Sequence, residues 1–424
     1  MDLTHDSDAA DRLLHDLVAE NRRIHDVESL NLDPASNVMN PRAEALLSSG
    51  LGTRPSLGRP GAKYETGLEA IEQIELLADE LTRRVFGAKH VELRTASGAV
   101  ANVYAFLATC SPGDAVIVPP ASIGGHVTHH RAGAAGLLGL EIHEAPVDAE
   151  RMTVEISGLA ELAERVQPSL ITIGGSLNLV EHPIAELRAV ADAVGARLLV
   201  DAAHMSGLFA GGVWRAPLAE GAHLLTMSTY KSLGGPPAGI VATDDDELAV
   251  RLDAIAHPGL TANFDVAKTA ALAVTMLDWI DHGRDYATTM VTTARSLASS
   301  LQARGLPVVG VGESLTDSHH VAVDVRAFGG GQTVAARLRR ANLLACGIGL
   351  PVDPASGGDV PGLRLGTPEM VRWGMGPDEA EAIAGFIADA LEGDPEAVAP
   401  EVTALRRGFD RVHFVRGGPL APLG

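Results

Sequence analysis

The sequence predicts an α/β protein built on a mainly parallel sheet with helices on both faces, followed by a smaller α/β domain. Three observations carry that expectation. From Gly67 onward, short apolar runs alternate with helical stretches, the pattern of strand–helix–strand units. Candidate polar residues recur just past the ends of those runs, where parallel sheets present their ligands. After Gly305 the pattern changes to shorter strands and amphipathic helices, which marks the second unit.

In chain order, residues 8–30 read as an amphipathic helix with Leu13, Leu14, Leu17 and Val18 on one face. An extended arm follows, Asn31-Leu-Asp-Pro-Ala-Ser-Asn-Val38, then a short helix over 42–50. The glycine- and proline-rich stretch 52–61 is either a linker or a lid over a site. Residues 68–86 form a helix. A strand over 91–94 meets Thr95-Ala-Ser-Gly98, and another helix starts near Ala99. The strand 115–118 leads to Ser122-Ile-Gly-Gly-His126. Residues 170–173 open into Gly174-Gly-Ser-Leu-Asn178. A helix over 184–194 precedes a strand ending at Asp201. Strands over 223–226 and 239–242 follow, the second as an antiparallel return. Two long helices are expected, 266–281 and 286–304. Strands at 307–310, 320–324 and 363–366, with helices at 332–341 and 378–391, make the smaller domain. Little packed structure is expected at the very end of the tail. The chain thus divides into a helix and arm (1–50), a large domain (51–275), a small domain (276–395) and a tail (396–424).

The 424 residues are enough for two domains. A net charge of −21 argues against nucleic acid or an anionic membrane as partner. Cys110 and Cys346 have no metal or disulfide spacing, so no metal is expected. The start of the chain has no apolar signal region, and the apolar stretch 270–280 is too short to span a membrane, so the cytoplasm is the expected compartment.

The chemistry centres on Thr226-Met-Ser-Thr-Tyr-Lys-Ser-Leu-Gly-Gly235. A single lysine, Lys231, sits among Ser228, other small hydroxyl residues and glycines. Such a lysine suits attack on a carbonyl, because the amine must be neutral to react. Upstream, an apolar run delivers Asp201 and then His204. Together they suggest a pyridoxal phosphate site: lysine for the carbonyl, acid for the pyridine nitrogen, hydroxyls and amides for the phosphate. A buried strand followed by a surface lysine is the plainer alternative. Thr95-Ala-Ser-Gly98 puts Ser97 and Gly98 at a helix start, suited to an anion or simply to a Ser N-cap. His126, behind two glycines, could cover a flat ring or be an ordinary loop histidine. Arg364 interrupts an apolar strand, which suits a substrate carboxylate or an internal ion pair.

These residues, in this order, resemble the serine hydroxymethyltransferase family. The matches are Ser97-Gly98 with Asn102, Gly124-Gly-His126-Val-Thr-His129, Asp201-Ala-Ala-His204, Thr229-Tyr-Lys231 with Gly235-Pro236, and Arg364-Leu-Gly-Thr-Pro368. The resemblance runs from about 28 to 392. It implies the aspartate-aminotransferase-like fold (fold type I), with a large seven-stranded sheet, and a homodimer with active sites at the subunit interface. It also implies pyridoxal 5'-phosphate, with Lys231 bonded to it, Asp201 on its ring nitrogen and His126 stacked on the ring. Ser97, Gly98, the amide of Ala99 and Ser228 would hold the phosphate. Ser176 and His204 would lie by the phenolic oxygen, and Arg364 would bind the substrate carboxylate.

The departures fall on the substrate side. Ser36 stands where the family's arm has its acid–base glutamate, and a serine cannot shuttle that proton at neutral pH. Pro55 and Glu65 stand where the family has tyrosines, with Tyr64 adjoining the second. Tyr230 replaces the histidine before the lysine and is expected among the catalytic residues, and Ala121 and Ile348 occupy expected folate contacts. The expected function is therefore folate-independent making or breaking of a Cα–Cβ bond in a β-hydroxy or α-substituted amino acid, with Ser36, Tyr64 and Glu65 facing the substrate. Tetrahydrofolate is doubtful as a partner. The alternatives are authentic hydroxymethyl transfer to tetrahydrofolate with another acid–base group, another pyridoxal reaction such as decarboxylation, elimination, racemisation or transamination, or a non-catalytic protein that keeps the cofactor.

Overall fold

The computed structural model describes residues 6–311 and 314–417. Its main feature is a seven-stranded sheet. The spatial order is His90–Glu92, Gly239–Thr243, Leu224–Ser228, Arg197–Asp201, Leu170–Gly174, Ala115–Val118 and Glu141–Glu144. All pairings are parallel except those of Gly239–Thr243, which returns antiparallel between its neighbours. The central strands are buried along their whole length. That is why Leu170–Gly174 and Leu224–Ser228 read as continuous apolar runs rather than alternating ones. Each buried leucine or isoleucine there contributes about 1.5–3 kcal/mol by leaving water.

A second sheet of four strands, all paired antiparallel, runs in the order Val308–Val309, His320–Asp324, Gly362–Gly366, Cys346–Ile348. The arm joins this unit: Leu30–Asn31 pairs in parallel with Leu343–Leu344. Among the described residues no helix is long and apolar enough to cross a membrane.

The helices differ from expectation in two places. The stretch 266–304 is one helix, Val266–Ala303, and not two. Gly283, in the expected gap, is buried, and a Cβ there would meet the Trp279 ring at 2.9 Å. It is a close-packing glycine inside a helix whose Met276, Trp279, Tyr286 and Met290 are buried. The N-terminal helix runs over Ser7–Arg22, continues as a wider turn through Glu28 much as expected, and buries no residue. Leu14, Leu17 and Val18 are more than half exposed, so the apolar row is uncovered among the described residues. The tail carries a further helix, Pro395–Arg407, with Val402 and Arg406 buried, and the Arg416 amide donates to Asp278 at 2.6 Å. The final seven residues, where little packing is expected, lie outside the described residues.

Candidate active site

The floor of the site is made where parallel strands end. Asp201 closes Arg197–Asp201 and is buried. Its Oδ2 accepts from Asn102 Nδ2 and from His129 Nε2, each at 2.9 Å, and Oδ1 accepts from the Ala203 amide at 3.0 Å. Burial alone would raise its pKa. The hydrogen bond and charge of His129, helped by His126 and the Ala203 amide, instead hold it well below the usual carboxylate range. Asn102 is fixed in turn by Thr226, whose hydroxyl donates to Asn102 Oδ1 at 2.6 Å. Asp201 is thus an ionised carboxylate held from several sides.

Lys231 follows the neighbouring strand. Its Nζ lies 3.0 Å from His204 Nε2. Burial lowers its pKa to about 8, against the pull of Asp201. An amine near that value has a substantial neutral fraction at physiological pH, as carbonyl attack requires. His126 is half-buried beside it, and burial lowers its pKa. Its Nδ1 lies 2.8 Å from Thr128 Oγ1.

The structure also contains a cradle suited to a phosphate. Ser97 caps the helix Gly98–Thr109 through a bond from the Val100 amide at 3.2 Å. A Cβ at Gly98 would lie 2.1 Å from Ser228 Oγ, so only glycine lets that hydroxyl approach the helix start. Ala99 is exposed in the first turn. Thr95 Oγ1 is buried nearby and has no partner. Free amides, two hydroxyls and a helix N-terminus fit a phosphate dianion, and a buried amine with a buried ionised carboxylate acting on it suits a pyridine aldehyde. Pyridoxal 5'-phosphate therefore fits the residues present.

Arg364 lies inside this cluster. Its Nη1 donates to the Ser176 carbonyl at 2.5 Å and lies 3.4 Å from His204 Nε2. Its Nη2 reaches Cys346 Sγ at 2.9 Å and Asp33 Oδ1 at 3.4 Å. Ser176 thus joins the site through its backbone. The arm passes alongside. Asn37 Nδ2 donates to the Lys231 carbonyl at 2.9 Å, and Asn31 Nδ2 donates both to Ser36 Oγ at 2.8 Å and to Glu369 Oε2 at 2.6 Å. Burial pushes Glu369 up to about 7.

Two expected substrate contacts are not brought here by this chain. Tyr64 is 84% exposed, and Glu65 accepts from the Leu57 amide. The small hairpin that precedes them packs on the helix Glu69–Phe86 through Lys63 and Glu75, 2.7 Å apart. Tyr230 is partly buried and makes no hydrogen bond to Lys231, Asp201 or Arg364 among the described residues.

Sequence reasoning missed several contributors. His129 is three residues past His126 and was not distinguishable from its neighbour His130. Asp33 and Cys346 meet at Arg364 only through the fold. His319 and His320 form a buried group with His204, their ring nitrogens within 4.8 Å of one another. Arg364 and Lys231 both lie close to His204, so the group sits in a positive field that opposes a divalent cation. Burial keeps all three imidazoles neutral by lowering their pKa values.

The serine hydroxymethyltransferase family model matches residues 7–387. An alpha-methylserine aldolase of Variovorax paradoxus is 59% identical over 94% of this chain and 90% of its own length. One from Ralstonia sp. is 55% identical over 96% of this chain and 94% of its own. A serine hydroxymethyltransferase of Methanopyrus kandleri is 40% identical over 90% of this chain and 89% of its own.

Proposed function

The chain belongs to the serine hydroxymethyltransferase family and is a pyridoxal 5'-phosphate enzyme, and we propose that it cleaves and forms the Cα–Cβ bond of α-methylserine without folate. One observation carries the reading: an intact floor of Asp201, Lys231 and Arg364 stands beside an arm with Ser36 at the acid's place, in a chain 59% identical to an alpha-methylserine aldolase. Breaking that bond in α-methylserine gives formaldehyde and alanine, with no carrier needed for the one-carbon fragment.

The bound cofactor supplies an acceptor for the electron pair left on Cα. Lys231 would hold its carbonyl carbon and, once free, could move a proton at Cα. Asp201 would keep the ring nitrogen protonated, His126 would cover the ring, and Ser97, Gly98, Ala99 and Ser228 would bind the phosphate. His204 and the Ser176 loop would lie by the phenolic oxygen. Arg364 would orient the substrate by its carboxylate, bidentately. The uncovered row Leu14, Leu17, Val18 supports assembly as a homodimer, in which the Tyr64–Glu65 hairpin could serve a neighbouring site.

The test uses purified holoenzyme with α-methylserine, serine, L-threonine, L-allo-threonine and phenylserine, each with and without tetrahydrofolate, and measures aldehyde. Release from α-methylserine without folate is expected. No aldehyde from any of them at full cofactor occupancy, or release that requires folate, overturns the proposal.

A further inference from the structure

Breaking the Cα–Cβ bond of a β-hydroxy amino acid needs a base for the hydroxyl proton, and Ser36 cannot be that base. Two carboxylates act on Lys231 through their charge, Asp201 and Asp33. Asp201 has both oxygens occupied and faces the sheet end. Asp33 lies on the arm, three residues before Ser36, with its side chain 31% exposed. Its Oδ1 takes the Ala35 amide at 3.0 Å, Cys346 Sγ at 3.3 Å and Arg364 Nη2 at 3.4 Å. Its Oδ2 has no hydrogen-bond partner among the described residues.

The geometry at Arg364 limits where substrate can lie. A carboxylate bound to that guanidinium sits next to Asp33. The β-hydroxyl oxygen is four bonds from the carboxylate oxygen, on the order of 3–5 Å by ordinary bond lengths. A free carboxylate oxygen on the same guanidinium is then within reach of that hydroxyl.

We propose that Asp33 is the catalytic base for the Cα–Cβ step, taking over the proton transfer that the arm lost at Ser36; this rests on the aldolase reading above. Asp33 Oδ2 accepts the β-hydroxyl proton, the C–O bond becomes C=O, the Cα–Cβ bond breaks and its electron pair stays on Cα. Formaldehyde leaves, the freed Lys231 amine passes a proton to Cα to give alanine and is reprotonated from water, and Asp33 returns its proton to water.

The test is Asp33→Asn, which keeps shape and the Oδ1 contacts, assayed in two ways on the holoenzyme. Aldehyde release from α-methylserine needs the base. Exchange of the alanine Cα hydrogen in D₂O, followed by NMR, needs Lys231 and Arg364 but no hydroxyl deprotonation. Alanine affinity, from the change in cofactor absorbance on titration, checks the site without turnover. Aldehyde release is expected to fall ~100-fold or more while exchange and alanine affinity change by less than about threefold. Asp33→Ala should regain aldehyde release with added formate. Undiminished aldehyde release in Asp33→Asn overturns the proposal. So does parallel loss of exchange and alanine affinity, which would make Asp33 a counter-ion that positions Arg364. Wild-type protein that releases no aldehyde removes the aldolase reading, and Asp33 with it; the other two outcomes leave that reading standing.

Discussion

Asp201 and Asp33 are two carboxylates of one site, held in opposite ways. Asp201 ends a strand locked by parallel ladders on both sides, and both of its oxygens already accept, from Asn102, His129 and the Ala203 amide. Asp33 stands on an extended arm that has two paired strand residues, backbone bonds at Leu32 to Leu344 and Gly366, and side-chain ties from Asn31 to Glu369, Asn37 to the Lys231 carbonyl and Asn40 to Asp278. A change at the sheet end disturbs a buried network. A change on the arm alters a few side-chain contacts and leaves the large sheet's ladder untouched. The contrast suits a departure at Ser36 on the arm while Lys231, Asp201 and His126 keep their places.

Substitutions can break or sharpen that contrast. The largest effect belongs to Lys231→Ala, which removes the amine that holds the cofactor. Loss of the visible bound-cofactor band and at least a ~1000-fold fall in aldehyde release are expected. Undiminished turnover would mean that the floor is not where the chemistry happens. Asp201→Asn comes next. It leaves a neutral amide against His129 and no charge for the ring nitrogen, so kcat should fall by roughly 100-fold or more with a smaller change in KM. Arg364→Lys tests the edge between floor and arm. A lysine cannot reproduce the bidentate fork, so KM for α-methylserine should rise about 10–100-fold while kcat moves less; a loss confined to kcat would point away from carboxylate binding.

The smallest effect is on stability and comes from behind the arm. Burial raises Glu369 from 4.5 to about 7, so between those values the folded state binds more protons than the unfolded chain. Stability from this group is therefore full below pH 4.5 and is lost as pH rises toward 7, by up to ~3 kcal/mol. Glu369→Gln keeps an acceptor for Asn31 and removes the charge. Urea unfolding should show the variant gaining on wild type at pH 8 and not at pH 4.5. An equal difference at both pH values would mean that Glu369 is not the titrating group.

The fold was largely legible because its central strands are buried on both faces and so read as plain apolar runs ending in Asp201, Ser228 and Gly174. The antiparallel return at Gly239–Thr243 was also readable. The edge strand Glu141–Glu144 was not, since its charged residues give no apolar run. The cofactor side was legible because its residues come in short motifs, each just past a strand end. Asp33, Cys346 and His320 were not, because their meeting with Arg364 or His204 depends on long-range packing. The join between 281 and 286 was unreadable for a related reason: a glycine such as Gly283 can end a helix or let two helices touch, and the neighbour decides.

That glycine bears on how the molecule moves. The helix Val266–Ala303 runs unbroken for 38 residues, about 57 Å at the usual rise. It packs against the helix Glu69–Phe86 on the large-sheet side and against the strand His320–Asp324 on the other. A continuous rod between the two sheets offers no pivot at residues 281–286. Any change in the angle between the two sheets must then be taken up in the connections at the ends of the rod rather than within it.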